Sequence, residues 1–265
     1  MAYLPAPVRL LIFTGVLLIL WLPLAIPIYL EIRHNSNLAT IVTMALLFVD
    51  LLGLWYLWGK YVYQEANIFT RYGLSLTAAN QREFLKGLAI GLWFCLSLFI
   101  VEAVLGWVEI ATPEVSTVQI VAEGLLSALG IALAEELVFR GWILDELQRD
   151  YGDRRAIFLS ALLFAVLHFL KPIAEIIRTL VTFPALLWLG IILAIAKQRH
   201  GDRLGICIGI HGGLVWGYYM LNVGQLIEYT NKVPVWITGI DGNPIAGMMG
   251  LIFLSIMAIA LSRKF

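Results

Sequence analysis

Two adjacent glutamates, Glu135 and Glu136, and an arginine, Arg140, interrupt an otherwise apolar run, and single histidines, His168 and His211, stand inside two later ones. One carboxylate and two imidazoles suit two chemistries. They can activate water without a metal, the glutamate acting as general base while a histidine assists or stabilises an oxyanion. They can also hold zinc, with a coordination position left open for water. The sequence contains no HExxH, so the usual zinc-protease spacing is absent. Both chemistries stay open, and both lead to an activated water.

Helix geometry divides the labour among the three charges. Residues four apart share a face, whereas neighbours diverge by about 100°. Glu136 and Arg140 therefore form an ion pair within one helix, and Glu135 points elsewhere without a partner of its own. The bland alternative ends the span near Ala134 and leaves all three charges wet. Against it, the stretch LVFRGWIL carries the apolar pattern on to Leu144, and a carboxylate inside a membrane is by default a functional candidate. A lone intramembrane histidine is commonly a packing residue; two of them beside an unpaired glutamate are not easily read that way. His34 and His200, in polar loops, are expected to be solvated.

The elements that must position these residues follow from composition. The chain has 265 residues, of which 61% are hydrophobic and only 14% charged, with a mean hydropathy of +0.88. Soluble domains carry roughly a quarter charged residues, so this is a membrane composition. Zero net charge gives no footing for a nucleic-acid partner. Cys95 and Cys207 both lie in apolar runs and form no metal or redox motif. Eight apolar runs approach the ~20 residues that a bilayer core requires: 10–30, 39–59, 87–108, 118–142, 156–170, 179–196, 204–227 and 242–261. The first is too long for a signal-peptide core and is expected to be retained. The expected fold is an all-α polytopic membrane protein, one domain over residues 1–265, with about eight transmembrane helices around an intramembrane site.

Basic residues orient it. With the N-terminus cytoplasmic, 14 Lys and Arg fall on the inside (Arg9, Lys60, Arg71, Arg82, Lys86, Arg140, Arg149, Arg154, Arg155, Lys197, Arg199, Arg203, Arg263 and Lys264), against Arg33, Lys171, Arg178 and Lys232 outside. That asymmetry predicts both termini and the site opening in the cytoplasm. Glu135 and His168 each lie roughly 20 Å of helix from the basic clusters, with His211 somewhat shallower. Residues 60–86 read as a cytoplasmic loop and 228–241 as an outer interfacial one.

In order along the chain, EELVFR (135–140), FAVLH (164–168) and HGGLV (211–215) resemble the motifs of the CPBP family, which comprises type II CAAX prenyl proteases and bacteriocin-processing proteins and is also called Abi. The resemblance spans about residues 118–222. It implies an intramembrane endopeptidase acting on a membrane-tethered or lipidated peptide or protein. By that likeness Glu135 is the general base, His168 shares its water, Glu136 and Arg140 hold the helix and the local electrostatics, and His211 helps to stabilise the oxyanion. A metal is left open; if one is used, zinc on Glu135, His168 and His211 is implied. The family often has Asn one turn after the third histidine, where this chain has Val215, which lacks a donor. Tyr218 and Asn222 follow roughly 10 and 16 Å further along the helix axis and are expected to fall short of the same oxyanion. Phe164 is expected to pack, and Gly212 and Gly213 to allow close helix approach. Val215 also favours an alternative, a non-catalytic immunity or interaction protein. A transporter with a Glu/His proton relay is a second alternative, though no inverted repeat is evident.

Overall fold

A computed structural model describes residues 1–113 and 115–263. In chain order the helices are α1 (Ala6–Ile32), α2 (Ser36–Trp58), α3 (Ile68–Arg71), α4 (Ala78–Val104), α5 (Thr117–Glu136), α6 (Leu144–Tyr151), α7 (Asp153–Leu167), α8 (Ile173–Thr179), α9 (Phe183–Arg199), α10 (Gly205–Tyr218), α11 (Val235–Thr238) and α12 (Met248–Arg263). The all-α expectation holds apart from one ribbon, in which β1 (Val108–Ile110) pairs antiparallel with β2 (Ile227–Tyr229). Asn35 and Thr77 open α2 and α4 by accepting the N–H groups of Leu38 and Asn80 on their side chains. Gly152, at φ 69°, turns the chain from α6 into α7 in a conformation that suits glycine.

Among the described residues, six helical segments are long and apolar enough to cross a membrane: Ala6–Ile32, Ser36–Tyr63, Ala78–Val104, Thr117–Tyr151, Ile173–Arg199 and Gly205–Val223. The other two of the about eight expected spans are shorter helices: α7, with 15 residues, and α12, with 16. At 1.5 Å per residue they reach about 22–24 Å, short of a ~30 Å core. The physical reason is local. The run 156–170 leaves the helix at His168, and the run 242–261 opens with 3₁₀ turns over Ile240–Gly242 and Pro244–Ala246 before α12 begins. Hydropathy counts apolar residues and does not see where the backbone ladder stops.

Residues assigned to one side of the membrane do gather at one end of the bundle. There Arg9 pairs with Glu146 at 2.7 Å, Arg71 and Arg149 both reach Asp145, at 2.9 and 3.0 Å, and Arg203 pairs with Glu83. The Ala6 N–H also donates to Asp150. Both helical termini lie here, since Arg199 donates to the Leu261 carbonyl of α12. Lys264, counted with this side, lies outside the described residues. Arg178 and Asp241, both assigned to the other side, pair at 2.5 Å at the far end. His200 departs from its expected solvated role: it is buried, with Nδ1 2.8 Å from the Ala196 carbonyl.

The tightest seam is between α4 and α10. Gly205, Gly209, Gly213 and Gly217 recur every fourth residue on α10, against Gly87 and Gly91 on α4. A Cβ on Gly87 would lie 2.5 Å from the Ile206 carbonyl, and one on Gly213 would lie 2.5 Å from the Leu92 nitrogen. Backbone thus meets backbone, as in small-residue membrane interfaces. The expectation for Gly213 holds. Gly212 instead faces α5, at an ordinary 3.5 Å from Ala132, so it is not part of this seam.

This seam generates a prediction with an internal control. Gly209→Ala forces a methyl into the α4 backbone and should lower stability by about 1–3 kcal/mol. Gly130 has open space around its α-carbon. Gly130→Ala should therefore be neutral or stabilising by up to about 1 kcal/mol through helix propensity. Thermal melting of the two purified variants in one detergent checks the contrast.

Candidate active site

The helix that carries Glu135, Glu136 and Arg140 runs from Thr117 to Tyr151, but it is not uniform. Between α5 and α6 it widens into a π-helical stretch over Leu137–Ile143. π turns loosen the i→i−4 ladder and often mark functional sites. Neighbouring helices supply donors to the loosened carbonyls. Ser160 Oγ on α7 donates to the Phe139 carbonyl at 2.8 Å, and Lys197 Nζ on α9 donates to the Arg140 carbonyl at 2.7 Å. Lys197 is only 2% exposed. A buried ammonium needs acceptors, so this contact fixes both the lysine and the turn it grips.

The i,i+4 pair is present as the sequence predicts. Arg140 Nη1 donates to Glu136 Oε1 at 2.9 Å, with the two side chains 1% and 0% exposed, so the reading in which these charges are wet is excluded for them. The guanidinium carbon also lies 4.2 Å from the centre of the Phe164 ring, a cation–π contact. Phe164 is buried and meets the His168 ring edge-on, with centroids 4.5 Å apart. Its expected packing role is met, and it packs against the site itself.

The two histidines are each anchored through Nδ1. His168, which ends α7, lies with Nδ1 2.6 Å from the Phe164 carbonyl. His211, mid-way along α10, lies with Nδ1 2.7 Å from Glu136 Oε1. A carbonyl and an arginine-paired carboxylate are acceptors, so each Nδ1 must donate. In the neutral ring that leaves Nε2 with a lone pair. Both Nε2 atoms lie 3.8 Å from the same atom, Glu135 Oε2. That oxygen is buried and has no hydrogen-bond partner among the described residues. Three acceptors converge with no donor between them; a cation satisfies all three, and a water molecule, with two protons to donate, satisfies two.

These groups open on a cavity of about 280 Å³. Glu135, His168 and His211 line it together with Val215, and most of the remaining wall is apolar, including Phe94, Leu189 and Phe253. Tyr218, Leu186, Asn243 and Gly250 also line the cavity.

The sequence did not reveal that Glu136 serves His211 as well as Arg140, nor the roles of Ser160 and Lys197. Lys197 offered the clearest signal, because it ends a charge-free apolar run directly.

The buried pair yields a second prediction. Arg140→Ala strands the Glu136 carboxylate and should cost about 3–5 kcal/mol. Glu135 is 30% exposed at the cavity, and its two imidazole neighbours stand off at 3.8 Å, so Glu135→Gln should leave the melting temperature close to that of the unmodified protein. Equal melting of the two variants would refute the assignment.

Comparison with known proteins then places this arrangement. No curated protein and no solved structure matches the chain. Residues 117–217, the segment that holds Glu135, Glu136, Arg140, His168 and His211, match the family model described as type II CAAX prenyl endopeptidase Rce1-like.

Proposed function

We propose that this protein is an intramembrane endopeptidase that hydrolyses a peptide bond of a membrane-associated or lipidated substrate with water activated by Glu135. The observation that carries the reading is the convergence of Glu135 Oε2 and two imidazole Nε2 atoms on one apolar cavity. Glu135 accepts a proton from a water held beside it, while the lone pair of one of the two imidazoles, on His168 or His211, accepts the second water proton. The oxygen adds to the substrate carbonyl carbon. As the tetrahedral species collapses, the proton passes from Glu135 to the leaving nitrogen. Glu136 and Arg140 touch no substrate in this scheme. Glu136 aims His211, and Arg140 neutralises Glu136. The apolar wall suits a substrate delivered from the bilayer. The basic asymmetry supports cytoplasmic termini.

The donor set, one carboxylate and two imidazoles anchored through Nδ1, is chemically that of a zinc site. Glu135, His168 and His211 would hold the ion, which would make a bound water more acidic. As they stand, no three such groups have metal-site geometry among the described residues, and the scheme above runs through side chains alone.

Glu135→Gln should abolish cleavage of a prenylated CAAX peptide by detergent-purified protein, since removing a general base typically costs 10²–10⁴-fold. The side-chain scheme predicts unchanged turnover after chelation. Loss on chelation with recovery by zinc would instead assign the ion to these three residues. Near-normal cleavage by Glu135→Gln would remove that residue from the mechanism, and absence of cleavage by the unmodified protein would favour the non-catalytic reading.

A further inference from the structure

Among the described residues three Lys and Arg side chains are buried: Arg9, Arg140 and Lys197. The two arginines each pair with a glutamate, Glu146 and Glu136. Lys197 has no carboxylate partner, and its one hydrogen bond runs to the Arg140 carbonyl at 2.7 Å. Lys197 lies in the apolar segment Ile173–Arg199, where an ammonium is costly. Arg199, two residues later, reaches the exposed surface, and a lysine so near a helix end can do the same. Lys197 turns inward instead. A helical carbonyl is ordinarily satisfied by its own ladder, with no charge needed. The chain therefore bears the cost of a buried ammonium to hold one backbone oxygen, and that oxygen lies in the π stretch.

The stretch sets the relative rotation of the helices on either side. Within it the Leu144 N–H reaches back five residues to the Phe139 carbonyl. One extra residue is thereby accommodated, which turns α5 relative to α6 by about 100° compared with an unbroken α-helix. Relaxation to α geometry would undo that turn. α6 cannot take up the rotation, because Arg9 and Tyr63 hold Glu146 at 2.7 and 2.5 Å, and Arg71 holds Asp145 at 2.9 Å. It would fall on the end of α5, where Glu135 and Glu136 stand. Contacts run from the grip to the base without a gap. Lys197 Nζ lies 2.7 Å from the Arg140 carbonyl, and Arg140 Nη1 lies 2.9 Å from Glu136 Oε1. The same Oε1 lies 2.7 Å from His211 Nδ1, and His211 Nε2 lies 3.8 Å from Glu135 Oε2.

We propose that Lys197 is a positioning residue for the site: by holding the Arg140 carbonyl off the helical ladder, it keeps the widened turn that points Glu136 at His211 and Glu135 at the cavity. Ser160 supports it on the preceding carbonyl, with no charge. Lys197 touches no reacting atom. Its effect on turnover rests on the endopeptidase reading; its effect on the His211 ring does not, because that passes only through Arg140 and Glu136.

The test uses full-length protein in detergent, read by cleavage of a prenylated CAAX peptide and by ¹⁵N NMR of its histidines. Lys197→Met keeps an unbranched side chain and removes the ammonium; Ser160→Ala frees the preceding carbonyl without changing charge. Each should lower kcat, Lys197→Met by ~10–100-fold, with KM changed less than about threefold. Each should also shift the His211 ring signals, as disturbance of the Glu136 contact requires. Arg203→Gln removes an ion pair with Glu83 beyond the end of α9 and should move neither readout, which separates positioning from general loss of stability. Unchanged kcat and unchanged His211 signals in Lys197→Met, with Glu135→Gln inactive, would overturn this proposal alone. A kcat loss without movement of the His211 signals would overturn it too, since the effect would not pass through Glu136. Movement in Lys197→Met but not in Ser160→Ala would assign the effect to charge and overturn the grip on the turn. If Lys197→Met does not accumulate as folded protein, Ser160→Ala carries both readouts. If the unmodified protein cleaves nothing, the endopeptidase reading falls, and the His211 signals alone decide whether Lys197 positions the cluster.

Discussion

Glu136 is a fully buried carboxylate whose Oε1 accepts from Arg140 on its own helix and from His211 on α10. An isolated charge at that depth would be very costly, and pairing makes it tolerable. Sharing one oxygen between two partners does more than neutralise it. It ties the widened turn of the fourth span to α10 and fixes which ring nitrogen of His211 carries hydrogen. Because Nδ1 is committed to Glu136, Nε2 is directed at the cavity. The phenylalanine that stacks on Arg140 offers its own carbonyl to His168 Nδ1. A small set of contacts thus aims both imidazoles at Glu135.

The surrounding structure holds this arrangement rigid from two directions. The glycine seam brings α10 against α4 so closely that His211 has little freedom to slide along the helix axis. Lys197 and Ser160 grip consecutive carbonyls of the π stretch, which keeps Arg140 and Glu136 in register despite the wider turn. Beyond it, α6 is fastened by Arg9 and Tyr63 to Glu146, and by Arg71 to Asp145. That polar end contributes no residue to the cavity wall. Charge is concentrated where it locks helices together, and the apolar half is kept for the substrate.

Much of this was legible in the sequence where the argument was local. Spacing alone paired Glu136 with Arg140 and left Glu135 free, because both follow from the pitch of one helix. The convergence of His168 and His211 on Glu135 followed from depth arguments and the family resemblance. What stayed hidden depends on contacts between distant segments. No spacing rule joins Glu136 to a residue 75 positions later. The π stretch leaves no hydropathy signature, so the donors that support it could not be sought. The shortness of α7 and α12 was not legible either, since an apolar run can end in a turn or begin with 3₁₀ geometry, as at His168 and Pro244. His200 looked solvated from its polar neighbours, yet it folds back on the end of α9.

The central claim is electronic: both site histidines carry hydrogen on Nδ1 and present an unprotonated Nε2 beside Glu135. The most direct measurement is ¹⁵N NMR of selectively histidine-labelled protein in detergent or nanodiscs near neutral pH, with His168→Gln and His211→Gln used to assign the two signals. The account predicts pyrrole-type Nδ1 and pyridine-type Nε2 resonances for both rings, and a shift of the His211 signals when Glu136 is replaced by Gln. Nε2–H tautomers, or rings protonated on both nitrogens, would contradict it.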